Sequence, residues 1–289
     1  MEFTAEKVPL PWTLTAKMLS GVSALTIKTQ GSADALLADP ATGYKSSLGT
    51  KISGTSGGVT IKPLTFDRIP AVTIDLGAND AALASSSDTL TFSANSLAAA
   101  RLKHLTVSTG KGADVLTVNN ADLGLPISGG SVLLLGGAGV DRLVASGDTD
   151  FQINDARLLS AAGGKIVFDE IERATLTGGA GNNVLSAVNF SGSAVLEGKE
   201  GDDILRGGDF NDFLDGGIGN DQLFGGLGND TLNGGTGVDF FEFLGTSDAE
   251  DLRLQRVSAT SANFIRKPRG LSTGLKPLEK ISKNIDQRC

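Results

Sequence analysis

Five aspartates recur every nine residues between positions 198 and 242: Asp203, Asp212, Asp221, Asp230 and Asp239. Each is the sixth residue of a block that opens on glycine: GKEGDDILR, GGDFNDFLD, GGIGNDQLF, GGLGNDTLN and GGTGVDFFE. An acid in this setting supplies a hard oxygen ligand, and glycines expose backbone carbonyls that can join it around a cation. The eighth position is always large and apolar: Leu205, Leu214, Leu223, Leu232 and Phe241. Residues seven to nine therefore read as a short strand with one side chain directed inward. Glycines at positions one, two and four read as a tight turn with positive φ. Two such blocks make one coil. Blocks eighteen residues apart then stack, with Asp203, Asp221 and Asp239 on one side and Asp212 and Asp230 on the other.

The blocks resemble the glycine-rich nonapeptide GGxGxDxUx of RTX, or haemolysin-type, proteins. Those beginning at Gly216, Gly225 and Gly234 fit at every fixed position. The block at Gly198 has Lys199 in place of the second glycine, and the block at Gly207 has Phe210 in place of the fourth. The resemblance implies a parallel β-roll that binds calcium between stacked turns, with about three ions in the array. It implies aspartate ligands paired as Asp203 with Asp221, Asp221 with Asp239, and Asp212 with Asp230. Carbonyls of the glycine region complete the set, at Gly201, Gly217, Gly219, Gly226, Gly228, Gly235 and Gly237.

Magnitudes make the cation part of the fold. One large apolar side chain per block contributes roughly 1.5–3 kcal/mol, whereas ordering nine backbone residues costs on the order of 9–18 kcal/mol. Stacked strands lie about 4.8 Å apart. Aspartates at that spacing repel by roughly 3 kcal/mol per pair at an effective dielectric of 20. A divalent ion reverses the sign of that repulsion, so binding and folding are expected to be one event.

Around the array, the elements read as strands. Runs such as ALTIKT, GVTIKPLTF and AVTIDL alternate at period two between turn residues. HLTVSTGKGADVLTV, SVLLLGGAGVDRLVA and ATLTGGAGNNVLSA each read strand, glycine turn, strand, with Asp114, Asp141 and Asn183 at the sixth position. Those three residues are 27 and 42 apart, which suits solenoid coils of unequal length. Without an acid eighteen residues away, a stacked calcium site at Asp114 or Asp141 is not assured, and the alternative is a solenoid turn that uses glycine for geometry. Phe168, Ile171 and Leu176 read as inward-facing, and Asp169, Glu170 and Glu172 as a solvated charge face.

Several functions are excluded or demoted. His104 is the only histidine of 289 residues, so an HExxH metalloprotease site is impossible. GTSGG at 54–58 matches the GxSxG nucleophile elbow, but a strand-like run follows Ser56 where the elbow needs a helix, so the segment reads as a loop. Net charge of -8 argues against nucleic acid. No stretch is long and apolar enough to span a bilayer. The lone Cys289 rules out an intramolecular disulfide. The amino terminus does not read as a signal peptide, which leaves a route that reads a carboxyl-terminal signal, as in type I secretion, or a chain that is a fragment.

The expected fold is all-β: a parallel β-solenoid ending in a calcium-binding parallel β-roll. Its regions are a Gly/Ser/Thr-rich strand region (1–72), an irregular degenerate-repeat solenoid (73–177), the roll (178–243), and an aromatic cap with a basic tail (244–289). The expected function is a secreted or cell-surface calcium-binding structural module, adhesin-like rather than catalytic, which folds on meeting extracellular calcium. An extracellular matrix or surface polysaccharide or protein would be its partner. The rival is a β-helical carbohydrate-active enzyme with its active site on residues 70–180, which uses the repeats for secretion and folding.

Overall fold

A computed structural model describes residues 71–77, 87–92, 104–118 and 131–242 with their side chains. It adds the backbone of Asn119, Phe243 and the strands Glu2–Thr4, Ala24–Lys28, Asp34–Pro40, Thr50–Ser56, Val59–Phe66 and Asn263–Arg266. The described residues contain strands and turns and no α-helix. The cap and basic tail assigned to 244–289 lie outside the described residues, apart from the backbone of Asn263–Arg266. The chain divides into two compact units, Met1–Ala145 with Asp155–Ala174, and Ser146–Asn154 with Thr175–Cys289.

In the first unit, Ala24–Lys28, Ala71–Asp75, His104–Ser108, Ser131–Leu135 and Lys165–Asp169 lie side by side in parallel. Alternate residues face inward and stack in register: Val72 on Leu105 on Val132 on Ile166, and Ile74 on Val107 on Leu134 on Phe168. All eight are buried. Successive coils differ in length, yet each strand keeps the same inward parity, because a slip of one residue would turn its apolar set to solvent. On another face, Asp34–Pro40, Thr89–Phe92 and Val115–Asn119 are also parallel.

Three antiparallel pairings interrupt the parallel scheme among the described residues, one of them Asp34–Pro40 with Thr50–Ser56. Arg157–Ser160 folds back on Lys165–Asp169 through a turn in which Gly163 takes φ 99°. Thr50–Ser56 pairs with Val59–Phe66, so Gly54, Thr55 and Ser56 lie in a strand rather than the expected loop, and a second strand follows from Val59. His104 opens its strand, exposed, with Nδ1 3.0 Å from Ser131 Oγ.

The second unit holds the array. Val184–Ser186, Ile204–Arg206, Gln222–Phe224 and Phe240–Phe243 form one parallel face. Ser193–Glu200, Phe213–Ile218 and Thr231–Thr236 form another. The register steps by eighteen through Leu205, Leu223 and Phe241, and through Leu196, Leu214 and Leu232. These six fill the interior and are at most 2% exposed. Phe241 thus continues the core ladder, while Phe240 packs its ring 5.8 Å from that of Phe224. Because Leu223 is enclosed between Leu205 and Phe241, Leu223→Ala is expected to destabilise the calcium-loaded chain by about 2–5 kcal/mol. Chemical denaturation measures it, and a loss below about 1 kcal/mol would contradict a packed interior.

Candidate metal centre

The turns of the array are stitched by carboxylates that reach from one coil to the next. Asn183 N donates to Asp203 Oδ1 at 2.7 Å, Asp203 N to Asp221 Oδ1 at 2.8 Å, and Asp221 N to Asp239 Oδ1 at 3.0 Å. On the other side, Ala194 N donates to Asp212 Oδ1 at 2.7 Å and Asp212 N to Asp230 Oδ1 at 3.0 Å. All five aspartates named from the sequence therefore stand in two columns with the expected pairings. An outer ladder, which sequence reasoning missed, runs in the opposite direction. Asp202 N donates to Asn182 Oδ1, Asn220 N to Asp202 Oδ1 and Val238 N to Asn220 Oδ1 at 2.7–2.9 Å. The signal was the run of Asp or Asn at position five.

One oxygen per inner carboxylate is thus used as a cap. The other decides what the site can hold. Asp203 and Asp221 are buried, and Oδ2 of each has no hydrogen-bond partner. That oxygen faces the first glycine of its own block. A Cβ on Gly198 would strike both Asp203 Oδ2 and the Gly216 carbonyl, and one on Gly216 would strike Asp221 Oδ2. When Asp203 is ionised, a carboxylate and a carbonyl oxygen share that gap at Gly198, and neither carries a proton to offer the other. A buried charge in this position requires a partner, and oxygen-only donors of this kind suit calcium. The residues fit the ion.

This corrects the reading of the glycines. Positive φ is confined to positions two and four, as at Gly217 (104°) and Gly219 (147°). The first glycine is needed for space over the carboxylate. Glycines 217, 219, 235 and 237 also sit directly on carbonyl oxygens of the turn below, so the named glycine positions line the gaps between turns. Lys199 keeps the turn at φ 85° although it is not glycine, and its Nζ lies 2.7 Å from Glu197.

Two turns depart from the pattern. In the block at Gly207, neither Gly208 nor Phe210 takes positive φ, and Gly208 N donates to Asp212 Oδ2 at 2.6 Å. Both oxygens of Asp212 are then occupied by amides, which makes the Asp212–Asp230 side the poorer fit. Phe210→Gly is expected to restore the left-handed turn and lower the calcium midpoint of that side several-fold, roughly 1 kcal/mol. Calorimetry reads it, and an unchanged isotherm would contradict the argument. The turn at 178–183 has the right glycines but Asn183 for the acid. Asp148 supplies a carboxylate there instead, with Oδ1 accepting from Gly181 N at 2.9 Å and Asn183 Nδ2 at 3.3 Å. Sequence reasoning missed Asp148; the asparagine in an acid's place was the available hint.

Burial sets the electrostatics. It raises Asp203 from the ordinary 3.8 to about 6, against the Asn183 amide and with help from Asp148 and Asp202. Asp221 is pushed up to about 7, by burial first and then by Asp203, Asp239 and Asp202, with the Asp203 amide opposing. Asp230 also reaches about 7, by burial and by Asp212. Asp212 and Asp239 are raised chiefly by burial. Burial and neighbouring carboxylates raise these carboxyls while backbone amides oppose them, so a cation between turns would offset both raising effects. Among the described residues no three His, Cys, Asp or Glu side chains gather as a metal cluster. An ion between turns must therefore draw on paired carboxylates and backbone carbonyls.

The family model of the RTX calcium-binding nonapeptide repeat matches residues 128–152, 174–187, 190–223, 197–232 and 206–241. The chain carries RTX calcium-binding repeats. Its fold is that of a largely parallel β-solenoid with these repeats wound into it. The matched RTX segments include the three full-motif blocks of the array, the nonapeptide Gly136–Val144, and the two altered turns at 178–183 and 207–212. No curated protein matches the chain.

Proposed function

We propose that the chain is a structural, non-catalytic module of the cell exterior, whose RTX array folds when calcium fills the gaps between its turns. The observation that carries this reading is the row of buried aspartates with an oxygen left over, facing a glycine in whose place no side chain fits. Extracellular calcium is abundant enough for sites of modest affinity, and a chain with one cysteine gains from calcium the stapling that disulfides give other secreted proteins. No helix among the described residues is long and apolar enough to cross a membrane. An adhesin-like partner, a surface polysaccharide or protein, suits a rigid array of coils with an acidic rim.

The test is far-UV circular dichroism through a calcium titration, with magnesium as control. A cooperative gain of β signal with calcium alone supports the reading. A spectrum unchanged by calcium, together with a flat calorimetric titration, rejects it.

The enzyme reading rests on one arrangement. Glu197 and Asp215 stand in register on adjacent coils, outward and half-buried, with Lys199 at 2.7 Å from Glu197. Burial, and then Glu197, raises the Asp215 carboxyl. Turnover of an anionic polysaccharide that disappears in Asp215→Asn would favour it; no turnover favours the structural role.

A further inference from the structure

Two arginines stand one above the other on neighbouring coils of the first unit. Arg142 opens the strand Arg142–Ser146, and Arg173 opens the strand Arg173–Thr177. Arg142 N donates to the Asp114 carbonyl at 2.8 Å, and Arg173 N to the Asp141 carbonyl at 2.9 Å. The equivalent bond, from Val115 N to the Asp88 carbonyl, accompanies the register of Val115 with Thr89. Val115, Arg142 and Arg173 therefore form one column, about 4.8 Å from rung to rung. Leu143 and Ala174, next along each strand, are buried, so the arginines point outward, and both are exposed.

Like charges in register on adjacent strands destabilise a sheet. The chain has acids in excess, 33 against 25 lysines and arginines, yet neither guanidinium makes a hydrogen bond or ion pair among the described residues. The acid that precedes each arginine in sequence is turned to another use. Asp141 is buried, and its Oδ1 accepts from Asp114 N at 2.9 Å. Glu172, expected in a solvated face, instead accepts the Asp141 amide through Oε2 at 2.8 Å. In the second unit the cations find partners. Lys199 lies 2.7 Å from Glu197, and Arg206 sits 5.2 Å over the ring of Phe224. The array also places no charge at the position after its acid, which holds Ile204, Phe213, Gln222, Thr231 and Phe240. Only the solenoid coils put arginine there, twice in succession.

We infer that Arg142 and Arg173 form an oxyanion clamp for an acidic polysaccharide, whose carboxylate or sulfate groups receive the two guanidinium forks. The inference rests on the proposed role at the cell exterior and names its partner more closely. A guanidinium presents its donors in a rigid plane that meets an oxyanion two oxygens at a time. Two forks one rung apart can take one anionic group between them, or successive groups of an extended chain. Val115, Thr117 and Val144 beside them are half-buried and uncharged. These neighbours offer no aromatic anchor of the kind on which protein interfaces depend. A net charge of -8 repels nucleic acid. A hydroxyl-rich polyanion is the partner left.

Calorimetric titration of the full chain in calcium, with dextran sulfate, polygalacturonate and neutral dextran, tests the clamp. One or both polyanions are expected to bind and dextran is not; the polyanion that binds distinguishes sulfate from carboxylate. Arg142→Gln and Arg173→Gln are each expected to weaken binding about tenfold or more. Lys165→Gln removes the same charge from an exposed position on another strand and should leave binding within about twofold of wild type. An equal loss in Lys165→Gln, or binding of dextran, would mean that the two arginines are not the site, and overturns the clamp. A wild-type chain that binds neither polyanion overturns it too; if calcium still folds the array, that failure leaves the structural reading intact. Arginine-dependent binding in a chain whose array ignores calcium supports the clamp and defeats the array reading. Both side chains are exposed, and loss of one charge relieves the other, so without ligand each variant should melt no lower than wild type. A clearly lower melt would show that the protein itself holds the guanidinium, and sinks the premise.

Discussion

Asp221→Ala is expected to raise the calcium concentration needed to fold the array by about ten- to a hundredfold. Asp221 serves two gaps at once. Its Oδ1 caps the Asp203 amide below, while Asp239 above caps the amide of Asp221 itself. Its Oδ2 is one of the buried oxygens left for a cation. Alanine removes that ligand and leaves the Asp203 N–H buried without an acceptor, which alone costs about 1–3 kcal/mol. Both effects fall on neighbouring sites, so the loss should show in stoichiometry as well as in midpoint. Asp221→Asn separates them, since the amide oxygen can still cap Asp203 while the charge is gone. A midpoint within about twofold of wild type in Asp221→Ala would mean that the array does not bind where its geometry says it should.

The second large effect is a reversal of pH dependence by calcium. Without metal, Asp203 at about 6 and Asp221 and Asp230 at about 7 hold protons in the folded array that they release near pH 4 when unfolded. The folded form therefore binds more protons across that interval. The resulting stability is fully present below about pH 4 and is lost as pH rises through 6 to 7. Calcium needs the ionised carboxylates, so calcium-driven folding should instead weaken as pH falls below about 7 and then 6. Thermal melts in chelator and in calcium, from about pH 4 to about pH 8, should give curves of opposite slope. Parallel curves would show that the buried carboxyls are not the groups coupled to folding.

Both predictions rest on residues whose types and spacing were legible in the sequence. The nine-residue period of glycine, aspartate and leucine determined the array, its eighteen-residue stacking, the inward Leu205, Leu214, Leu223, Leu232 and Phe241, and the two columns of aspartate. Local rules suffice there, because each turn repeats the one before it and register follows from the period. Even the departure at Phe210 was visible as a missing glycine.

Elsewhere the decisive partners are far apart in the chain, and only the tertiary structure could bring them together. Asp148 replaces the acid missing at Asn183 from 35 residues away. Glu172 caps Asp141 across a hairpin that no period announces. Asp114 and Asp141, which the sequence leaves open between calcium ligands and bare glycine turns, stand one above the other because coils of unequal length close to the same strand register. The purpose of the first glycine was not legible either. Its backbone angles are ordinary, and what forbids a side chain is the folded-back aspartate of its own block, joined at Gly198 by the Gly216 carbonyl of the next coil. Sequence spacing determines a stack when every coil is equal; when coils differ, the backbone hydrogen-bond ladder decides which carboxylates meet.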